Sequence, residues 1–483
     1  MKFQINTSST SESENLVIPI IQNDELQTTL NSLAQRFELP ENQLNSDFKA
    51  DLKEIQFFYQ ANRKIYLLGL GKTPQSKDWI RAFRYFFHQN KTKISANLAI
   101  EFYQFEIENL EYVVNGSLLG TYDIKLYKTD KKETANSSEP TVEILIDKEK
   151  AEVADNQIFK GKCIAETQME IMHLVNAPSN KKNPQTLAAW AIQSGQKYGF
   201  EVRLLDKESL EKEGLHALLA VSQGSANPPY LIILEYKPFK AHKKIGLVGK
   251  GVTFDTGGVS LKGSTNMHYM KSDMGGAAAV LGTMEVAAKL QLPFHLIGII
   301  PTTENFIDNQ SIKPGDVINS YLGKTIEVID TDAEGRLILA DGLAYIHRNY
   351  HPEILIDLAT LTGSCVQALG YMAGGLFTNQ DSLAEKLLQA GEKSGEKLWR
   401  LPMWDDYKDD ISSDIADLRN YSGKPVAGAI SAAKFLEAFT ENHPNFAHLD
   451  IAGVAFGDSE FAAMKSATAY GIRLLLTFLE LID

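Results

Sequence analysis

From Thr186 onward, short runs rich in Val, Ile and Leu alternate with helix-length segments, and this alternation constrains the chain more than any other feature. Lys244–Val248, His295–Ile300, Ile326–Ile329, Ile354–Leu358 and Ala447–Ile451 read as strands. Gly275–Leu290, Leu337–Asn349, Ala429–Thr440 and Lys465–Leu481 read as helices. Helices placed between strands favour a mostly parallel sheet covered on both faces. Open sheets of that kind bind ligands beyond the carboxyl ends of their strands.

The first third is also mixed. Asn15–Ile21 and Lys64–Leu70 read as buried strands, and Trp79–His88 as an amphipathic helix. Thr121–Tyr127 and Thr141–Ile146 flank a polar tract, Lys128–Pro140, whose composition predicts a surface loop. Asp155–Val175 reads as one long helix with Asp155 as its N-cap, stopped by the turn residues Asn176-Ala-Pro-Ser-Asn180. The predicted fold is α/β with two domains, each a mixed or mostly parallel sheet flanked by helices. The boundaries follow: residues 1–150 form an N-terminal α/β domain, 151–180 a connecting helix and turn, and 181–483 the C-terminal domain.

Composition narrows the function. Lys and Arg number 48 against 61 Asp and Glu, a net charge of −13 that opposes a general affinity for nucleic acid. Cys163 and Cys365 are the two cysteines, so no disulfide framework is implied and a reducing compartment is expected. Met1–Glu14 is polar, without a hydrophobic signal core, and no apolar run reaches the roughly 18 residues of a membrane span. These features predict a soluble cytoplasmic protein.

Several familiar motifs fail on spacing. Gly69-Leu-Gly-Lys-Thr73 resembles the end of a phosphate-binding loop, but Tyr66 stands where a further glycine is needed. Gly246-Leu-Val-Gly-Lys-Gly251 has the wrong spacing for a dinucleotide fingerprint, and Gly258-Val-Ser-Leu-Lys262 is no nucleophile elbow. None of the ten histidines forms a zinc-peptidase pair, and His448 reads as a buried supporting residue.

What survives is acidic. Asp330-Thr-Asp-Ala-Glu-Gly-Arg-Leu337 places three carboxylates and an arginine between a predicted strand and a predicted helix. Upstream, Lys250, Asp255 and Lys262 follow another strand, and Asp273 precedes a helix of small residues. Clustered carboxylates suit divalent cations, and the arginine suits an anion. Asp255, Asp273, Asp332 and Glu334 could thus meet Lys250, Lys262 and Arg336 at one sheet edge. A structural salt-bridge cluster is the competing reading for any single one of them.

Gly249-Lys-Gly-Val-Thr-Phe-Asp-Thr-Gly-Gly-Val-Ser-Leu-Lys262, Met270-Lys-Ser-Asp-Met-Gly-Gly-Ala-Ala278 and Thr331-Asp-Ala-Glu-Gly-Arg-Leu337 resemble the active-site segments of the cytosolic leucyl aminopeptidases, a dinuclear-metal family. Leu358–Gly363, Lys397–Pro402, Ala427–Ala433 and Ala447–Gly453 extend the resemblance, which runs from about Leu174 to the C-terminus. It implies that the C-terminal domain is catalytic. It implies one metal on Asp255, Asp332 and Glu334, with the main-chain carbonyl of Asp332, and a second on Lys250, Asp255, Asp273 and Glu334. Lys262 matches the family's electrophilic lysine and Arg336 the arginine that holds a bicarbonate acting as general base. Met270, Thr360, Leu361, Gly363, Ala452 and Ala455 match substrate-binding positions for an apolar first residue. The resemblance further implies Zn or Mn, with Mg or Co acceptable to the same donors, short peptides with a free N-terminus as substrates, and a homohexamer. Two positions depart from the family: Asp330, where Asn is usual, and His268, where an acid is common. The alternatives are a DNA-binding regulatory protein on the same scaffold, which the charge opposes, and a two-metal phosphoesterase, which leaves Lys250 unexplained.

Overall fold

Strands buried on both faces need apolar side chains throughout, whereas a helix that must lie close against them needs small ones. Both demands are met in the computed structural model, which describes all residues except 9–10, 62, 92–96, 130–139 and 458–459. The side chains of residues 41–43 are likewise outside the description, as is most of the polar tract 128–140. The chain divides into two compact units, Met1–Met169 and Glu170–Asp483.

Among the described residues, the first unit holds a six-stranded sheet. Its strands are β1 (Lys2–Asn6), β2 (Asn15–Ile20), β3 (Ile55–Gln60), β4 (Arg63–Gly69), β5 (Leu98–Glu101) and β6 (Thr141–Leu145), in the order β1-β6-β5-β2-β4-β3. All neighbours are parallel except β3 and β4. Helices Ser76–Asn90 and Leu110–Thr121 pack together. The second was not anticipated: Thr121 closes it, and residues 122–127 form no strand. Its Gly116 and Gly120 lower helix propensity, but a Cβ at Gly116 would lie 2.4 Å from the Ile80 carbonyl oxygen. The long helix spans Ala151–Asn176, so Asp155 sits inside it rather than at its cap.

The second unit carries a nine-stranded sheet among its described residues. Its outer strands on one side are β7 (Glu201–Leu205) and β8 (Tyr230–Tyr236). The centre is β9 (Lys244–Gly249), β10 (Gly251–Asp255), β11 (His295–Asn305), β14 (Ile354–Ala359) and β18 (Phe446–Asp450). β15 (Gly374–Phe377) and β16 (Leu398–Arg400) complete the other side. The order is β16-β15-β18-β14-β9-β11-β8-β7, with β10 paired to β11. From β18 through β14 and β9 to β11 the pairing is parallel, as the alternation of strand and helix predicts. Ile297 and Ile299 of β11 join the core cluster that includes Leu337, Leu339 and Leu343. Gly298 between them faces Val280 of the Gly275–Leu290 helix on the opposite side.

One expected strand lies elsewhere. Thr325–Glu327 (β13) does not enter the main sheet but forms a small one with β12 (Val317–Asn319) and β17 (Leu418–Arg419). The acids after it therefore reach the site from this accessory sheet. The last helix begins at Ile472, not Lys465, because Gly471 at φ 101° turns the chain into it.

The small residues of Gly275–Leu290 bring its first turn directly onto the sheet edge. A Cβ at Gly276 would lie 1.9 Å from the Leu358 carbonyl oxygen and 2.9 Å from the Lys250 nitrogen. Gly276→Ala is therefore expected to destabilise the protein by about 3 kcal/mol or more, read as a lowered midpoint in thermal or urea unfolding. A midpoint equal to the parent's would show that this contact relaxes freely.

Candidate metal centre

Lys250 leaves β9 with its backbone held on both sides. Its N–H donates to the Leu358 carbonyl at 3.0 Å, and its carbonyl accepts from Ala277 N–H at 2.9 Å. The residue is 3% exposed and its Nζ lies 2.7 Å from Asp273 Oδ2, 2.8 Å from Glu334 Oε1 and 3.1 Å from the Thr360 carbonyl. Asp255 closes β10, where its Oδ1 accepts from Gly257 N–H and from Asn305 Nδ2, both at 2.8 Å. Its Oδ2 faces Lys262 Nζ at 2.8 Å, and Lys262 also pairs with Asp332. Asp273 stands just before the Gly275–Leu290 helix and accepts the Thr360 hydroxyl at 2.8 Å.

The second half of the site comes from the turn after β13. Asp330 Oδ1 accepts from Asp332 N–H at 2.8 Å, which bends the chain so that Asp332 faces Lys262. An asparagine oxygen could accept the same bond, so this departure from the family preserves the turn. Glu334 and Arg336 lie in the first turn of the helix Glu334–Tyr350, both buried. A helix N-terminus favours the glutamate's negative charge. Arg336 Nη1 donates to the Asn420 carbonyl at 2.6 Å.

One oxygen each of Asp255, Asp273 and Glu334 can be chosen so that all lie within 4.8 Å of one another. Asp273 Oδ2, Asp332 Oδ1 and both Glu334 oxygens are buried and accept no hydrogen bond of acceptable geometry, although lysine ammoniums lie close to several of them. Several buried carboxylates crowded together are costly even with lysine ammoniums beside them. A donor set of this kind fits divalent cations.

The electrostatics agree. Burial, reinforced by Glu334 and Asp255, raises Asp273 well above the usual carboxylate range despite Lys250. Burial and the neighbouring Asp255 and Glu334 push Asp332 up to about 7 against the pull of Lys262. Burial opposes the charges of Lys250 and Lys262, but the surrounding carboxylates outweigh it and hold both ammoniums firmly protonated. Burial pushes Arg336 down to about 10, with Glu334, Asp330 and Asp450 opposing.

These groups border a cleft of about 510 Å3, lined by Lys250, Asp255, Lys262, Asp273, Asp332 and Arg336. Met270, Thr360, Leu361, Gly363 and Ala452 line it too. Ala455 lies behind that wall, against Gly275, and His268 packs its ring on Tyr269 with centroids 4.0 Å apart. His448 is fully buried, with Nδ1 2.7 Å from Asp357 Oδ2. Sequence reasoning missed Asn305 and Asn420. Asn305 bridges Asp255 to the Thr331 carbonyl at 3.0 Å, and it closes a polar end of β11, Thr302-Thr-Glu-Asn305, that carried no distinct signal.

A sheet with a parallel centre and crowded, buried acids at its carboxyl edge defines an α/β protein suited to binding divalent cations. The sequence pattern of the cytosol aminopeptidase family catalytic domain matches residues 171–476. A probable cytosol aminopeptidase of Chlorobium phaeobacteroides is 43% identical over 455 residues, covering 90% of each chain. One from Chlorobaculum tepidum is also 43% identical, over 90% of this chain and 91% of that protein. Among solved structures, a bottromycin maturation enzyme in complex with Mn matches with a TM-score of 0.85 and 29% identity, over 97% of this chain and 99% of that one. The chain belongs to the cytosol aminopeptidase family and is a hydrolase of peptides. Among the described residues, no helix is long and apolar enough to cross a membrane.

Proposed function

We propose that the chain is a two-metal aminopeptidase that removes N-terminal, preferably leucine-like residues from short peptides. The observation that carries this reading is the convergence of Lys250, Asp255, Asp273 and Glu334 onto one point, with Asp332 joined to it through Lys262. One cation would be held by Asp255, Asp332 and Glu334 with the Asp332 carbonyl, and the other by Lys250, Asp255, Asp273 and Glu334. When bound, such a pair activates water and polarises the scissile carbonyl. Carboxylate and amine donors accept Zn, Mn, Mg or Co, and the family resemblance favours Zn or Mn among them.

The chain's own residues divide the remaining work. Lys250 serves as a ligand only as a neutral amine, and two cations would reverse the carboxylate field that now holds its proton. With Asp255 and Asp332 engaged as metal ligands, the Lys262 ammonium would be free to face the oxyanion that develops on the substrate. Arg336, buried beside the carboxylates, holds an anion such as bicarbonate that takes the proton. The substrate's free α-amine lies toward Asp273, which enforces cleavage at the N-terminus. Met270, Thr360, Leu361, Gly363 and Ala452 offer its first side chain a small, largely apolar wall, with Ala455 behind. A homohexamer with sites facing an inner cavity would restrict substrates to short or unfolded peptides, and the family name favours the cytoplasm. No observation favours a nucleic-acid role, and the charge of −13 opposes one.

The test is a peptide panel on chelated protein with each metal returned separately. Chelation should lower hydrolysis of leucyl amides on the order of 10^3-fold or more, with recovery in Mn or Zn and acetylated peptides left intact. Metal-replete protein that spares every unblocked peptide, or trims acetylated ones equally well, would refute the reading.

A further inference from the structure

Asn420 is fully buried, and its side chain bonds backbone groups of the acidic turn rather than the carboxylates of the candidate metal ligands. Its backbone N–H donates to the Glu327 carbonyl at 3.0 Å, one step beyond the pairing of Leu418 and Arg419 with β13. There the backbone ladder ends and the side chain replaces it. Oδ1 accepts from Ile329 N–H at 2.8 Å and from Asp330 N–H at 3.3 Å. Nδ2 donates to the Asp330 carbonyl at 2.6 Å and the Ala333 carbonyl at 3.4 Å. Its own carbonyl accepts from Arg336 Nη1. One planar amide thus grips both ends of the turn that carries Asp332, while the same residue's backbone orients the arginine. Asp would repel the two carbonyls, and Ser is too short to span them.

We propose that Asn420 is a positioning residue that locks the Asp330–Ala333 turn and Arg336 into one unit, setting the distance between the acids and the arginine. This rests on the reading of Arg336 as part of the reactive site. A residue that orients ligands without touching the metal affects affinity or turnover by about 10- to 100-fold when lost. A misplacement near 1 Å has an effect of similar size on turnover.

The test compares Asn420→Asp, Asn420→Ser, Arg336→Ala and both double variants, using full-length protein. Turnover of a leucyl amide, Mn affinity by indicator competition and thermal melting are measured for each. The expected result is a kcat lowered on the order of 10- to 100-fold in N420D, with KM within about threefold and Mn affinity weakened. Adding N420D to R336A should lower kcat by no more than about threefold further, because the two residues act as one unit. If N420D does not fold, N420S carries the same comparison. If neither folds, the residue is simply structural and the proposal is overturned. It is also overturned if a folded variant keeps kcat and Mn affinity within about threefold of the parent, or if the double variant's loss is the product of the single losses. Full activity in R336A would instead refute the reading of Arg336, and the Mn affinity of N420D would still decide whether Asn420 sets the turn.

Discussion

Glu334→Gln is expected to abolish turnover while leaving the protein folded. The side chain is 1% exposed, and neither oxygen accepts a hydrogen bond. Glutamine has nearly the same shape, so the packing around the helix start is kept. What changes is charge: Lys250 loses one of its two carboxylate partners, and the proposed bridge between the cations becomes a neutral amide. Loss of a preorganised charged group at a reacting centre costs on the order of 10^3-fold in kcat, and here metal occupancy falls as well. Metal-free E334Q should melt close to the metal-free parent, because removing one of several crowded carboxylates relieves repulsion and offsets the weakened pairing with Lys250. The assay is kcat/KM together with bound metal by elemental analysis. A variant that keeps a tenth of the parent's activity would remove Glu334 from the centre.

Metal affinity should rise steeply with pH through neutrality, because the acids and Lys250 must all give up protons to the cations. Asp332 is held up at about 7, first by burial and then by the charges of Asp255 and Glu334, and Asp273 is raised by the same causes. Below pH 7 a cation must displace a proton from Asp332, so affinity should fall about tenfold per pH unit for each proton displaced. Asp273 steepens the dependence. For the metal-free fold the sign is opposite. A carboxyl group raised in the folded state and ordinary in the unfolded one binds more protons when folded, so its contribution to stability falls as pH rises from about 4 to about 7 and then levels off. Titration with Mn at pH 5.5, 6.5 and 7.5 checks the first claim, and melting of the chelated protein checks the second. Equal affinities at the three pH values would mean that binding displaces no proton, neither from the acids nor from Lys250.

Four strands of the main sheet, β9, β11, β14 and β18, were legible because each carries a largely apolar run bounded by a turn or helix, whereas β7, β8, β10, β15 and β16 were not read as strands. Lys250 and Asp255 were legible as candidates because a charged residue at the end of a strand is conspicuous, and Asp273 because it stands before a helix of small residues. Thr325–Ile329 misled for a physical reason: β-branched composition reports fitness for a pleated surface, not which sheet is joined. β13 is three residues long, and its partner β17 comes almost a hundred residues later. Asn305 and Asn420 carry no charge and fall outside any ligand pattern, so their roles emerge only when distant carbonyls and carboxylates are brought beside them. The Leu110–Thr121 helix was hidden because its glycines serve packing rather than local propensity. Asp330 stood out as an unexplained acid, and the turn it closes onto Asp332 now accounts for it.

The helix that begins at Glu334 is buried at every residue through Ile346. Its amide protons should therefore exchange with solvent only through large-scale opening, and proteases should find no entry near Glu334 or Arg336 while the domain holds together. Activity would then be lost with the fold rather than ahead of it on heating. An ageing population of this enzyme would consist of fully competent and fully inactive molecules, with few in between.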